Sequence, residues 1–366
     1  MLHAFPLPPN ADSVKLPDLL MEGVGLYTAT HLRLPFEELS RLRQKIVLET
    51  ALGYRPDLVI VDRRPVGVRG ELLPTLQALK SLEKRATLVL SLRDIVGTDL
   101  VRGEWQADHA IPVLEELYDE VWIFGCQVLY DPIKEYQLPD AVARKVRFCG
   151  YLGVEPSTIL SEETRRALQI TGETFVLVTV GNGRGGFQVL DAYVGALEIF
   201  PKRPRTFSLL VAGPDLPQEE LRKLRERISR LSTTRPEHRV MLMDFSPRLE
   251  EYIAAADLVV SMAGYNTLTE IMALEKRAIV IPRLQIIAEQ LLRASLFERL
   301  GLIRMLHPDQ LSPGLMAETL LSALDAPPPS LQQMTELRLD FSGQTQVREH
   351  VDRLLGLGQA SPPWAP

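Results

Sequence analysis

The feature that most restricts the fold of this chain is a regular alternation of short apolar runs with longer stretches of helical composition. Residues 58–61 (LVIV), 87–91 (TLVLS), 121–124 (VWIF) and 146–149 (VRFC) form a first series of such runs. Residues 175–180, 207–212, 240–243, 258–261 and 278–282 form a second. Runs this short, with little apolar–polar alternation, are strands buried on both faces, and strands separated by helices pair in parallel. Between the first runs, 71–80 reads as a helix with Pro74 in its first turn. The stretch 100–118 reads as a helix that Pro112 kinks or splits. The segment 150–156 (GYLGVEP) reads as a linker.

Two such series predict an α/β protein of two doubly wound, Rossmann-like domains facing a cleft. The expected division is 1–150 for an N-terminal domain, 151–330 for a C-terminal domain and 331–366 for a C-terminal helix and tail. A length of 366 residues suits two domains. Three prolines, Pro327 to Pro329, make a break. Ser330 then stands where a helix N-cap belongs, Ser342-Gly343 divides the following helical stretch, and 361–366 (SPPWAP) reads as disordered. Against a complete doubly wound sheet, the first series is short by one βα unit or more. The chain opens near His3, inside what reads as a later unit.

Composition excludes several classes. Against 41 basic residues stand 47 acidic ones, a net charge of −6, which gives no reason to expect nucleic acid as the main partner. The only cysteines, Cys126 and Cys149, are far apart and lack a CxxC or Cys/His partner, so neither a zinc site nor a disulfide framework is read. The first ten residues have no charged and apolar segments of a signal peptide, and no apolar run reaches the ~20 residues of a membrane helix. A cytoplasmic location is expected, with membrane association at most peripheral.

Three segments of the second series carry candidate chemistry. The first is Gly181-Asn182-Gly183-Arg184-Gly185-Gly186, between a strand and a helix. Glycines let a backbone approach a phosphate, and a helix N-terminus favours an anion. The spacing matches GxGxxG, a weak signal alone, and a tight turn without ligand is the plain alternative. A dinucleotide fingerprint would want an acid ending the next strand, but Asp215 comes only after Pro214. The second is Met262-Ala263-Gly264-Tyr265-Asn266, a turn opening a helix at Thr267-Leu-Thr-Glu270. Two helix N-termini at one sheet edge can clamp a pyrophosphate without a metal. Glu270 could accept both ribose hydroxyls, or could merely close a capping box with Thr267. The third is Glu289-Gln290, after the strand that ends at Pro282. These side chains could read sugar hydroxyls, or be a solvated first turn.

The order of GNGRGG, DFSPRLEEYIAAADLVVSMAGYNTLTE and IPR with AEQLLRASLFERLGL resembles the C-terminal domain of glycosyltransferase family 28 over about 175–306. That family includes the enzyme that adds N-acetylglucosamine to lipid I and plant galactolipid synthases. The whole chain is similar to a bacterial group of predicted glycosyltransferases of unassigned acceptor, more weakly over 3–150. The resemblance implies a GT-B fold and a UDP-sugar donor. Backbone around Phe245 and Ser246 would meet the uracil, although Ser246 before Pro247 is equally a plain N-cap. The loop from Gly181 through Gly186, with Ala263 to Asn266 and Thr267 close by, would hold the diphosphate. Glu270 would hold the ribose, and Glu289 and Gln290 the hexose. The resemblance also implies inversion at the anomeric carbon and no bound metal or other cofactor.

The glycine-rich, histidine-bearing loop that usually opens a GT-B N-terminal domain is not found here. The base is therefore sought at strand ends, with Asp94 first, Arg93 neutralising charge beside it, and Asp62 second. His31 and His109 read as surface residues. Arg63, Arg64 and Arg69 form a basic cluster that faces an anionic acceptor or is simply solvated. The expected function is hexose transfer from a UDP-sugar to an unknown acceptor, a lipid or a small molecule. A non-catalytic nucleotide-sugar binder with a degraded acceptor domain is the alternative. A sugar-nucleotide epimerase would want clustered carboxylates and a histidine, and an NAD enzyme ranks last.

Overall fold

A computed structural model of the chain describes residues 7–23, 26–154, 161–284 and 289–357. Expectations placed at His3, at Pro156 and on 361–366 lie outside them. The chain forms two compact units, Met1–Tyr151 with Ser342–Pro366, and Leu152–Phe341.

The first unit opens with an antiparallel pair, β1 (Leu19–Gly23) and β2 (Leu26–Ala29), followed by α1 (Phe36–Tyr54). Then come β3 (Leu58–Asp62), α2 (Leu73–Ser81), β4 (Thr87–Arg93), α3 (Thr98–Ala107), α4 (Ala110–Glu116), β5 (Glu120–Phe124), α5 (Pro132–Glu135), α6 (Asp140–Ala143) and β6 (Val146–Phe148). Strands β3, β4, β5 and β6 pair in parallel in that order, with no reversal among the described residues. The helical stretch expected over 100–118 is indeed two helices. Its break falls at Asp108 and at His109, whose φ is +48°; Pro112 lies in the first turn of α4, where its missing N–H has no helical partner to lose.

The second unit contains α7 (Ser161–Ala167), β7 (Thr174–Thr179), α8 (Phe187–Ile199), β8 (Thr206–Val211), α9 (Gln218–Thr234), β9 (His238–Met243), α10 (Leu249–Ala255) and β10 (Leu258–Ser261). It continues with α11 (Tyr265–Ala273), β11 (Arg277–Val280), α12 (Glu289–Arg299), β12 (Arg304–Met305), α13 (Pro313–Asp325) and α14 (Leu331–Glu336). Its parallel sheet has the order β12-β11-β10-β7-β8-β9. One core face joins Val176, Val178, Leu210, Val260 and Ile279 of the strands to Tyr193 and Leu197 of α8, Leu224 of α9, and Met316 and Leu320 of α13. Each fully buried side chain of this kind contributes about 1.5–3 kcal/mol, against about 0–1 for an exposed ion pair. Packing against the sheet, not surface charge, therefore fixes where the strand-end loops stand.

After α14 the chain returns to the first unit as α15 (Gly343–Leu355). Val347, Val351 and Leu354, spaced to share one helix face, pack on Val89, Trp122 and Cys149 of the sheet. The Glu120 carboxylate, 6% exposed, accepts from Arg353 Nη2 at 2.9 and 3.0 Å and from Trp122 Nε1 at 2.8 Å. Ser330 caps α14 by accepting from the Gln333 N–H, and Ser342 is the residue before α15, so the tail divides where its sequence suggests.

Candidate active site

In an open parallel sheet, ligands bind outside the carboxyl ends of the strands where the strand order reverses, because neighbouring loops diverge to opposite faces there. In the second unit the order reverses between β7 and β10. Thr179 and Ser261 stand side by side in the register, so the loops that follow them open on one crevice.

The loop after β7 is Val180 to Gly186, and α8 begins at Phe187 with Gly186 as its N-cap. Gly183 adopts φ +96°, and a Cβ there would lie 2.7 Å from both the Ala212 carbonyl oxygen and the Leu216 nitrogen of the loop after β8. Only glycine fits that close approach. A Cβ on Gly186 would press to 2.5 Å from the Val180 side chain. The Asp215 carboxylate straps the loop further, accepting from Asn182 Nδ2 at 3.2 Å and from Arg184 Nε at 3.0 Å, while its N–H donates to the Asn182 carbonyl at 2.7 Å. Arg184 is 64% exposed on its side chain and so stands at the loop's open surface.

The turn after β10 leads into α11, with Gly264 at the N-cap, Tyr265 first and Asn266 second; no side chain caps this helix. Thr267 is thus the third helical residue and not the N-cap, so Thr267 and Glu270 form no capping box. Glu270 is part-buried, and among the described residues its carboxylate has no hydrogen-bond or ion-pair partner. Burial, and secondarily the charge of Glu250, push its pKa up to about 7. A desolvated carboxylate on a helix that starts at the crevice is an acceptor to which donors can be added.

The loop after β11 runs through Pro282, Arg283 and Leu284 towards α12. Gln290, 8% exposed, accepts the Arg283 N–H on Oε1 at 3.0 Å. Arg283 Nη1 in turn donates to the Arg184 carbonyl at 3.3 Å, tying this loop to the glycine loop. Glu289 is the first residue of α12. A cavity of about 560 Å³ opens against the glycine loop, lined among others by Gly185, Gln188, Met262, Pro282, Arg283 and Leu284. That volume is in the range that holds a small ligand.

Phe245 and Ser246 follow β9, with Phe245 37% exposed and Ser246 buried. Ser246 is not the N-cap of α10, a position taken by Arg248. Its Oγ instead accepts the Arg248 N–H at 3.1 Å, closing a turn ahead of the helix.

In the first unit, Asp94 follows β4 and is 2% exposed; Oδ1 accepts the Ile95 N–H at 2.7 Å, and its Cβ stands 2.7 Å from where a Cβ on Gly125 would be. Arg93 at the end of β4 and Asp62 at the end of β3 are exposed. Two arginines of the basic cluster are engaged by a buried acid rather than merely solvated. Arg63 Nη2 donates to both oxygens of the buried Glu104, at 2.9 and 2.7 Å, and Arg64 binds the same carboxylate. Arg69 is exposed, as is His31, which stands near Asp18. His109 is also exposed and precedes α4 without capping it. Among the described residues no group of His, Cys, Asp and Glu converges as metal ligands would, and no helix is long and apolar enough to cross a membrane.

Sequence reasoning set Asp215 aside and passed over Arg283 and Arg293. A signal existed for the last: a lone arginine inside the apolar run of α12, one helical turn beyond Gln290.

Residues 175–354 match the family described as glycosyltransferase family 28 C-terminal domain. A curated relative from Halalkalibacterium halodurans is the UDP-N-acetylglucosamine–N-acetylmuramyl-(pentapeptide) pyrophosphoryl-undecaprenol N-acetylglucosamine transferase, 30% identical over 124 residues, 33% of this chain. The match takes in 31% of that transferase's own length. Among solved structures, Acinetobacter baumannii MurG superposes with a TM-score of 0.54 at 12% identity, covering 88% of this chain and 82% of its own. S. aureus MnaA, solved with UDP, gives 0.56 at 10% identity, covering 92% and 86%. The UDP-forming α,α-trehalose-phosphate synthase of Burkholderia xenovorans gives 0.56 at 15% identity, covering 88% and 79%. At these identities the likeness is one of fold: two Rossmann-like α/β units, the GT-B architecture.

Proposed function

We propose that the protein is an inverting glycosyltransferase taking a hexose from a UDP-sugar donor, on the premise that residues 175–354 match the glycosyltransferase family 28 C-terminal domain. The observation that carries this reading is the Glu270 carboxylate on α11, the helix that follows β10: it is part-buried, raised to about pKa 7 and, among the described residues, without a hydrogen-bond or ion-pair partner. Two ribose hydroxyls would supply the donors it lacks. The glycine loop and the first turn of α11 present backbone N–H groups to the diphosphate, with Arg184 at the loop's surface. Helix N-termini stabilise negative charge as it develops on a leaving diphosphate, so no bound metal or other cofactor is required by this scheme. Phe245 and Ser246 would border the uracil, and Glu289 and Gln290 the hexose. The relative's printed name, which pairs a UDP-sugar donor with an undecaprenol-linked acceptor, makes a lipid-linked acceptor the first class to try. A cytoplasmic, at most peripherally membrane-bound protein suits such a substrate.

The base that accepts the acceptor's proton is assigned to Asp94, with Arg93 beside it. A carboxylate only 2% exposed would have to act through a water. That same burial favours, as second reading, a protein that binds nucleotide sugars without transferring them. Release of UDP from a panel of UDP-hexoses, with and without lipid-phosphate acceptors, separates the two. Transfer predicts UDP release with inversion of the anomeric configuration, lost in Glu270→Ala. UDP binding without release from any donor would leave the binder.

A further inference from the structure

Helix α12 braces two loops of the donor crevice directly and the third through one of them. Gln290 holds the loop after β11 through the Arg283 N–H, and Arg283 holds the glycine loop after β7 through the Arg184 carbonyl. The third brace is Arg293. It is 1% exposed, Nη1 donates to the Ala263 carbonyl at 3.0 Å, and the guanidinium lies 5.8 Å from the centre of the Tyr265 ring. It therefore grips the turn after β10 on both sides of Gly264.

A trans peptide sets its carbonyl and the next N–H in opposite directions. With the Ala263 oxygen drawn towards Arg293, the Gly264 N–H must point away from α12, at the very start of α11. A buried guanidinium behind that turn also adds positive potential to the positive end of the α11 dipole. Both effects act on a phosphate and neither acts on a nucleoside.

We propose that Arg293 is a positioning residue for the donor diphosphate, orienting the backbone N–H groups after β10 and biasing the crevice towards a dianion. This inference rests on the UDP-sugar reading of the site.

The test compares UDP with uridine on the full chain and on Arg293→Lys and Arg293→Met, with circular dichroism and melting curves to establish folding. In Arg293→Met, UDP affinity should fall by about tenfold or more, while uridine affinity changes less than about twofold. Arg293→Lys, which keeps the charge but not the planar fork, should lose less on UDP and nothing on uridine. Equal losses on both ligands, or no loss on either, would overturn the positioning role while leaving the donor reading intact. If the unsubstituted chain binds neither ligand, the donor reading itself fails. Should Arg293→Met not fold, the same comparison on Arg293→Lys decides, since an unchanged UDP-to-uridine ratio there also refutes the role.

Discussion

Replacing Glu270 by Gln should make the protein more stable and a worse binder at once. The carboxyl sits at a pKa of about 7 in the fold, against 4.5 for the free group, chiefly because burial disfavours its charge. Below about pH 4.5 the group is protonated in folded and unfolded chain alike, and no penalty exists. As pH rises the unfolded chain ionises first, so the folded state loses stability progressively, and the loss is complete above about pH 7. The displacement is equivalent to about 3 kcal/mol at full value. Partial exposure of the side chain reduces this to about 1–3 kcal/mol. Glu270→Gln removes the charge at nearly constant shape. It should raise the melting temperature at pH 8 by roughly 2–10 °C, and at pH 5 by only about a quarter of that. Its UDP affinity at pH 8 should fall by about 1–3 kcal/mol, the usual loss when a buried acceptor of hydroxyl donors is weakened. Melting curves at the two pH values and calorimetric UDP titrations read both effects. A melting temperature unchanged at pH 8, or raised equally at both pH values, would refute the desolvated carboxylate. Undiminished UDP affinity would refute its role as ribose acceptor.

Other consequences follow from the same geometry. If Glu270 binds ribose as the carboxylate, UDP binding lowers its pKa and releases a proton between about pH 6 and 7; titrations in two buffers of different ionisation enthalpy should show release, and proton uptake would contradict it. Gly183→Ala, at φ +96° with a Cβ 2.7 Å from two backbone atoms, should cost about 2–4 kcal/mol in urea unfolding and abolish UDP binding. Arg353→Ala removes a partner of the buried Glu120 and should loosen α15 from the first unit. A loss of about 1–3 kcal/mol with a red shift in Trp122 emission is expected, and an unshifted spectrum would show that α15 docks without it.

The sheet strands of both units were legible in sequence because strands buried on both faces read as unbroken apolar runs. Residues 258–261 coincide with β10, and the others agree within a residue or two at most ends. The hairpin of β1 and β2, helix α1 and the two-residue β12 left no such mark. The hairpin and α1 are only part-buried and mix polar with apolar residues, and β12 is too short for any period to show. The glycine loop and the turn at Gly264 were legible because backbone geometry dictates residue type there. Long-range partners were not. That Arg63 and Arg64 share Glu104, that Asp215 straps Arg184, and that Arg293 reaches back to Ala263 depend on which loops the sheet order brings together. Strand order itself, reversing between β7 and β10, has no local sequence signal. Nor does the burial of Asp94 under the loop at Gly125, which only packing reveals.

The most direct test of the central claim is a calorimetric titration of the 366-residue chain with UDP and, separately, with NAD. A donor site at the β7–β10 crevice predicts saturable binding of one UDP per chain, weakened in Glu270→Ala, and no binding of NAD. Failure to bind UDP, or binding of NAD in its place, would contradict the glycosyltransferase reading and return the glycine loop to a dinucleotide site or a plain turn.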